Sequence, residues 1–579
     1  MSIEPGPMST NTLPEALAAQ PLEPHQRTYL EGFFAGVKER AVVFGDLFPG
    51  GLPGQTPGAA EEEAEVTAEE RIKREEHPLD SFYRIADNAR SNTAPEKEEV
   101  FRFKWHGLFY LSPVKNSFMA RLRIPGGRLT AAQMRDLAAA ARDLTSGYVQ
   151  VTTRANFQMR LIQPKDTVEF LRRIRSTGLH TQGAGADNVR NITCNPTAGV
   201  DPEELIDCTP FVKDLADHIL NQRAFSNLPR KFNIAFDGGG LIGSVEDTND
   251  IGIKAVRVGP DVRFRFAVGG ATGHQAFAND LGIHVPPEEV VEVVLALLRV
   301  YLEKGNRTNR KRARLKHLLE SMPLADYLAA AETRLGRTLD RAPLAPGELS
   351  YGHEKLAHSH IGPHPQRQKG LHFLGIALPA GQITPKQMER LADLAQNYGS
   401  GDLRLTVWQN IIIPDIPDAY LATVQKAVVR AGLSWKQSHV SSGIVACTGN
   451  RYCKYAATDT KGHALELARH LEKRVHLDRP VNIHFTGCPH SCAQHYMGDI
   501  GLLGAKTRAG EEAYTVFVGG GFGSHRACGR LLFQAMRFEE LKPTLEKLLL
   551  AYLHRRHADE SFQKFALRHE VRQLQEMVG

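Results

Sequence analysis

No apolar run in the chain approaches the ~20 residues that a bilayer core demands, so no transmembrane helix is expected. The first residues, MSIEPGPMSTNTLPEALAAQ, hold no basic stretch followed by an apolar core, and no secretory signal peptide is expected either. Neither charge sign dominates: Lys+Arg is 71 and Asp+Glu 65, a net of +6. A nucleic-acid binder would carry a more basic stripe, whereas this balance suits an acidic protein partner or a small anion. No G-x-G-x-x-G after a strand suggests a nicotinamide or flavin domain. The runs GGG at 238–240 and GGGFG at 519–523 lack that context. No nicotinamide or flavin domain is expected, and electrons for any redox work are expected from a separate protein, a ferredoxin, flavodoxin or flavoprotein subunit. Cysteine is sparse, seven in 579 residues, and no pair is spaced Cys-x2-Cys. In the reducing, cytoplasmic setting expected here, cysteines serve metals more often than disulfides.

What is present is an ordinary globular composition, 42% hydrophobic and 23% charged, long enough for about three to four domains. Residues 1–100 form an N-terminal extension and linker. They include a Gly/Pro-rich stretch, GDLFPGGLPGQTPG, a possible short helix in PHQRTYLEGFFAGVKER, and a charge-dense segment, AAEEEAEVTAEERIKREE, expected as an exposed helix or as disorder. From residue 101 the chain repeats. FMARLRIPGGRLTAAQM at Phe118 aligns without a gap with HFLGIALPAGQITPKQM at His372, an offset of 254. GYVQVTTRANFQM and GDLRLTVWQNIII continue in the same register. Each copy reads strand, Pro/Gly turn, helix, Gly turn, strand. The first strand alternates over Met119–Ile124, and the helices start after Thr130 and Thr384 caps. A pseudo-twofold domain built from both halves follows, with a site between them. Arg121 becomes Gly375 and Arg154 becomes Trp408 in the second copy, so one anion-facing surface is expected, from strands of the first half. A further echo links LPRKFNIAF at Leu228 to RPVNIHF at Arg479, setting Asn233 against Asn482.

Four of the seven cysteines read ACTGNRYC and GCPHSC: Cys-x5-Cys, 34 residues, then Cys-x3-Cys. Such a set is a metal site. Zinc favours Cys-x2-Cys knuckles, while 4Fe-4S clusters take more varied spacings. Pro489 in a helix N1 position would put Cys488 and Cys492 on one face of a first turn, with its dipole toward the anionic cluster. A purely structural cluster is the bland alternative. The scattered Cys194, Cys208 and Cys528 read as buried apolar thiols. His484, His490 and His495 near the last cysteines read as hydrogen-bonding or packing groups.

With FRFKWHGLF, FMARLRIPGG, VTTRANFQMR, DNVRN, LPRKFN, WQN, ACTGNRYCKYAATDTK and HFTGCPHSC in order, the chain resembles the sirohaem nitrite and sulfite reductases over about residues 100–540. The resemblance implies an α+β fold: a pseudo-twofold pair of ferredoxin-like half-domains (101–165 and 346–430) joined into one domain, plus two sirohaem-binding α/β domains (166–345, and 431–579 with the cluster). It implies that Cys447, Cys453, Cys488 and Cys492 ligate a 4Fe-4S cluster, with Cys492 also axial to the sirohaem iron. Arg121, Arg154 and Lys231 would form the anion pocket, joined by Asn233. Arg123, Thr152, Thr153, Arg190, Asn191, Gln409 and Asn410 are the candidate donors to the carboxylates of sirohaem.

The implied reaction is the six-electron reduction of nitrite to ammonia in nitrate assimilation, with ferredoxin as donor. The closest alternative is an assimilatory sulfite reductase with the same cofactors. Sulfite reductases of the family place a second lysine where Asn233 stands, and sulfite, the more highly charged anion, would use it. Some also carry a pocket cysteine in the segment matching GADNVRN, which has none here. Both signs favour nitrite, with some sulfite turnover. The shorter relative precorrin-3B synthase is disfavoured by length and by the retained cations. A non-catalytic iron–sulfur redox protein is the alternative from another class. Neither nucleic acid nor membrane is expected as a partner.

Overall fold

The computed structural model describes residues 66–111, 113–344 and 359–579. The possible helix in PHQRTYLEGFFAGVKER and the Gly/Pro-rich stretch lie outside the described residues. The charge-dense segment ends in helix α1 (Ala68–Glu75), which Thr67 caps by accepting the Glu70 N–H. The expectation of an exposed helix fails here, because Glu70, Ile72 and Lys73 are buried. Lys73 Nζ lies 3.3 Å from Asp187 and donates to Leu228 O at 3.0 Å. Asp187 is fully buried and also takes both guanidinium nitrogens of Arg310 at 2.9 Å. A charge-rich helix can face inward when the core offers it opposite charges.

The first half-domain holds β1 (Leu108–Phe109), β2 (Phe118–Arg121), β3 (Arg128–Thr130), helix α2 (Ala131–Leu144), β4 (Val149–Val151) and β5 (Phe157–Ile162). The first α/β domain has a four-stranded sheet, β6 (Ile234–Asp237), β7 (Ile251–Val258), β8 (Asp261–Val268) and β9 (Asn279–Val285), in that order. The second half-domain holds β10 (Gly362–Pro365), β11 (Leu371–Ile376), β12 (Gln382–Ile383), α3 (Pro385–Tyr398), β13 (Asp402–Leu405) and β14 (Ile411–Pro417). The second α/β domain carries β15 (Ile444–Ala446), helix α4 (Thr460–Glu472), β16 (Ile483–Thr486), β17 (Ile500–Lys506), β18 (Glu512–Val518) and β19 (Arg530–Arg537). Among the described residues no helix is long and apolar enough to cross a membrane.

The half-domains exchange strands. One sheet runs β1-β2-β5-β4-β12 and the other β10-β11-β14-β13-β3. Thus Gln382 pairs with Gln150, and Arg128 with Arg404. The Pro/Gly turns make the exchange possible. A Cβ on Gly127 (φ +74) would sit 2.5 Å from Leu405 O, and one on Gly381 (φ +73) 3.0 Å from Val151 O, the matching place 254 residues away. Only glycine tolerates both that dihedral and that approach. The Thr130 and Thr384 hydroxyls accept the Gln133 and Gln387 N–H groups in full capping boxes, as the repeat predicts.

One hydrophobic core serves both halves, joining Leu137 and Ala141 of α2 to Leu391 and Ala395 of α3. The two α/β domains have separate cores. The expected alternation over Met119–Ile124 is absent: Met119, Ala120, Leu122, Arg123 and Ile124 are all buried. The strand is covered on both faces because other elements pack over the surface that a lone half-domain would show to water.

A candidate cluster site and anion pocket

Parallel pairing of β15 with β16 brings the two cysteine segments side by side. Cys447 follows β15 directly, and its N–H donates to Phe485 O on β16 at 2.9 Å. Gly487 N–H donates to Cys447 Sγ at 3.2 Å. Cys488 and Cys492 lie in the loop after β16, and Cys488 Sγ is 3.4 Å from His490 Nδ1. This loop corrects the helical expectation for Pro489. Residues 488–494 form turns, with Ser491 (φ 54) and Gln494 (φ 55) left-handed. Cys488 and Cys492 thus do not share the first turn of a helix, while Cys447 Sγ, which accepts the Gly487 N–H, lies 3.7 Å from Thr460 Oγ1 at the start of α4.

All seven cysteines are free. Burial, opposed by His490 and reinforced by the sulfurs of Cys492, Cys447 and Cys453, pushes the Cys488 thiol up to about 12. Cys492 is raised by burial and by Cys447 and Cys453, and lowered by Lys231 and Arg121. The four sulfurs therefore share one neighbourhood. Among the described residues no three His, Cys, Asp or Glu side chains close round a single metal ion. Four neighbouring cysteines without Cys-x2-Cys spacing fit a thiolate-bound iron–sulfur cluster better than a zinc knuckle. Cys194 and Cys208 are buried as expected, whereas Cys528 is only partly so.

Cys492 is exposed, yet the protein around it is dense enough to raise its thiol as in an interior. Four cations act on one another or on Cys492: Arg121, Arg154, Arg190 and Lys231. Arg121 ends β2, its guanidinium 4.7 Å from the Phe109 ring centre and 3.4 Å from Ala184 O. Arg154 does not lie on a strand as expected. It sits in the turn after β4, where Thr152 Oγ1 accepts its N–H at 3.0 Å. Its guanidinium donates to Asn191 O at 2.6 Å, to Ile234 O at 2.9 Å and to Asn249 Oδ1. Arg190 donates to Ala186 O at 2.8 Å. Burial pushes Arg154 down to about 10, and burial with Arg314 pushes Lys231 down to about 7. None of the four makes an ion pair with a described carboxylate. Asp250 acts on Arg154 and Asp187 on Arg190 from beyond ion-pair distance, and a cationic wall without a direct carboxylate partner suits an anion.

The remaining candidates divide. Arg123 is buried and donates to Val189 O at 3.3 Å, leaving further N–H groups unused. Thr153 Oγ1 donates to Cys492 O at 2.9 Å, and Thr152 Oγ1 to Asn156 Oδ1 at 2.5 Å. Asn191 is engaged wholly by protein: its Oδ1 accepts Ile124 N–H at 2.7 Å, and its Nδ2 donates to Ile124 O at 2.7 Å and Arg154 O at 2.9 Å. Gln409 spans Val151 O and both polar groups of Ala446. Asn410 accepts Leu378 N–H at 3.0 Å. These three amides hold chain segments around the pocket. Asn233 N–H donates to Asp250 Oδ2 at 2.8 Å. His484 and His495 are buried and neutral, pushed down to about 4 and about 3 by burial.

Several residues of the site carried weaker sequence signals. Asn249 and Asp250 brace Arg154 and Asn233, and Arg314 pairs with Asp250 at 2.6 Å. Arg160, inside VTTRANFQMR, is lost to Pro414 in the second copy, the same asymmetry that marks Arg121 and Arg154.

Comparison with known proteins places these features in a family. The nitrite and sulphite reductase 4Fe-4S domain matches residues 185–339 and 440–578, and the nitrite/sulfite reductase ferredoxin-like half domain matches 112–177 and 364–431. The chain is 37% identical to the ferredoxin–nitrite reductase of Synechococcus elongatus, over 78% of this chain and 89% of that protein. It is 35% identical to the chloroplastic ferredoxin–nitrite reductase of Zea mays, over 84% and 89%. The solved structure of the Mycobacterium tuberculosis NirA protein superposes with a TM-score of 0.82 at 28% identity, covering 88% of this chain and 97% of that one.

Proposed function

The chain belongs to the nitrite and sulphite reductase family, and from that premise we propose that it reduces nitrite to ammonia with six electrons drawn from ferredoxin. It is an oxidoreductase whose cofactors are sirohaem and a 4Fe-4S cluster, the pair this family uses. The observation that carries the substrate class is the cationic wall: Arg121, Arg154, Arg190 and Lys231 act on one another or on Cys492, none in an ion pair with a described carboxylate.

Cys447, Cys453, Cys488 and Cys492 would hold the cluster, with Cys492 also reaching the sirohaem iron. When bound, the two groups supply electron storage and the metal site at which nitrite is reduced. The chain's own residues do the rest. Arg121 and Arg154 attract the anion and fix its orientation. Lys231, held near neutrality by burial and by Arg314, is poised to hold or release a proton at Nζ beside the departing oxygen. Arg123 and Arg190 stand nearest to the role of carboxylate donors, while Thr152, Thr153, Asn191, Gln409 and Asn410 keep the walls in place. Asn233 favours nitrite over sulfite, since an amide gives less attraction than a second ammonium to the more highly charged anion. Sulfite is then a slow substrate.

The test is anaerobic purification, an absorption spectrum, and reduced-viologen oxidation with nitrite and sulfite in parallel. Sirohaem bands, ammonia as product and a kcat/KM favouring nitrite are expected. A preference for sulfite would overturn the substrate assignment alone. Absent sirohaem bands, in protein made with sirohaem supplied, would overturn the whole reading.

A further inference from the structure

We propose that Arg160 and Lys461 are the counter-charges of the iron–sulfur cluster and set its reduction potential. The inference rests on the placement of the cluster on Cys447, Cys453, Cys488 and Cys492.

Arg160 lies on β5 and is 4% exposed. Its guanidinium donates to Gln150 Oε1 at 3.1 Å, Gln158 Oε1 at 2.6 Å and Thr448 Oγ1 at 2.5 Å, with a longer contact to Tyr452 O at 3.5 Å. Every acceptor is neutral, and no described carboxylate lies within ion-pair distance. Thr448 and Tyr452 belong to the loop between Cys447 and Cys453, so this cation is tied to the segment that carries two of the ligands. Lys461, on α4, is 5% exposed. Its ammonium donates to Ala380 O and to Ala446 O, the latter at 3.0 Å and directly before Cys447. It also lacks a carboxylate partner among the described residues.

The groups of opposite sign that act on Arg160 are Tyr148, Cys453 and Cys447. Burial raises the Tyr148 phenol, which stays neutral at neutral pH. The cysteines remain as its counter-ions, and Cys447 is the one that acts on Lys461. A buried cation without an anion is costly, and here two of them flank one thiolate loop. The charge is also one-sided. The position matching Arg160 in the second half-domain is Pro414, so the pseudo-twofold has kept the guanidinium only where the cysteines are.

A cluster held by four thiolates is anionic, and it becomes more so on reduction. Fixed positive charge beside it stabilises the reduced form and raises the potential. A purely structural role for Arg160 would depend on its hydrogen bonds and not on its charge, and the two can be separated. Gln158→Glu keeps the acceptor and its shape but turns a neutral partner into a carboxylate, neutralising Arg160 without removing it.

The experiment is a redox titration of the holoenzyme, following the reduced cluster by EPR. The midpoint is expected to move to more negative values in Gln158→Glu and in Lys461→Met, and to stay near wild type in Arg160→Lys, which keeps the charge. An unmoved midpoint in Gln158→Glu at wild-type iron content would overturn the proposal, even if Lys461→Met failed to retain its cluster. An equal shift in Arg160→Lys would also count against it, since that points to hydrogen bonding. Wild-type protein with no cluster signal would instead defeat the cofactor placement beneath it.

Discussion

Thr153 Oγ1 donates a hydrogen bond to the main-chain carbonyl of Cys492 at 2.9 Å, across 339 positions of sequence. It is the point where the turn bearing Arg154 touches the loop bearing the last cysteine. The cationic wall and the metal-binding loop therefore come from different domains yet are held in one register. The neighbouring amides extend the same arrangement: Asn191 holds the Arg154 turn against the end of β2, and Gln409 ties β4 to β15.

Thr153→Val removes this bond with little change of volume. The hydrogen bond is worth about 1 kcal/mol, so kcat/KM for nitrite should fall about fivefold if the loss is felt wholly in the barrier. The spectrum of both cofactors should be unchanged. Steady-state kinetics on fully loaded protein decide the matter, and unchanged turnover would mean the wall and the loop hold their register without Thr153.

Arg154→Ala should retain both cofactors and lose about 100-fold or more in nitrite kcat/KM, the scale expected when a preorganised charge at a reacting anion is removed. Arg154→Lys should recover only part of it. The guanidinium reaches Asn191 O and Ile234 O together, which a single ammonium cannot match. A fully loaded alanine variant with normal turnover would remove Arg154 from the pocket.

Much of this was legible before any coordinates. The offset of 254 exposed the pseudo-twofold, and the Thr130 and Thr384 caps marked both helix starts, because capping is local chemistry written in a few residues. The cysteine spacing pointed to an iron–sulfur protein for the same reason, and the matching 4Fe-4S domain agrees. What escaped was non-local. The exchange of β3 and β12 between half-domains depends on close backbone approaches that a glycine permits but does not announce. The burial of α1 depends on Asp187, more than a hundred residues away. Asn191, Gln409 and Asn410 looked like cofactor donors because polar residues in a motif can bind ligand or backbone equally well, and only the fold shows which groups they meet.

The two α/β domains place one aspartate each before the second strand of a parallel pair, β6–β7 and β16–β17, and only one of them is neutralised. Asp250 Oδ2 accepts the Asn233 N–H at 2.8 Å and pairs with Arg314 at 2.6 Å. Asp499 Oδ2 accepts the Asn482 N–H at the same 2.8 Å but has no ion-pair partner among the described residues, and burial pushes its carboxyl up to about 7. A raised carboxyl contributes stability that is present below the ordinary carboxylate range and is lost as pH rises through about 7. Asp499→Asn should therefore raise Tm only slightly near pH 5 and more near pH 8. Thermal unfolding across that range is the measurement, and a variant whose Tm falls as steeply as the wild type's would exclude Asp499 as the cause.

Substrate choice turns on Asn233. Its main chain is fixed by Asp250, and Asp250 in turn by Arg314, so a side chain at this position projects from a well-held backbone beside Lys231. Asn233→Lys adds a second ammonium without disturbing that anchor, because the bond to Asp250 uses only the main-chain N–H. Two unit charges about 4 Å apart exchange about 4 kcal/mol at the effective dielectric near a protein surface, and sulfite carries more charge than nitrite. Even a third of that difference, about 1.4 kcal/mol, is tenfold. The ratio of kcat/KM for sulfite to that for nitrite should therefore rise at least about tenfold in Asn233→Lys, mostly through a lower KM for sulfite. The added cation should also deepen the dependence on ionic strength, since attraction between charges reached by solvent is screened by salt. A ratio that stays at the wild-type value, in protein with both cofactors in place, would show that discrimination lies elsewhere in the pocket, with Arg121 and Arg154 the next residues to vary.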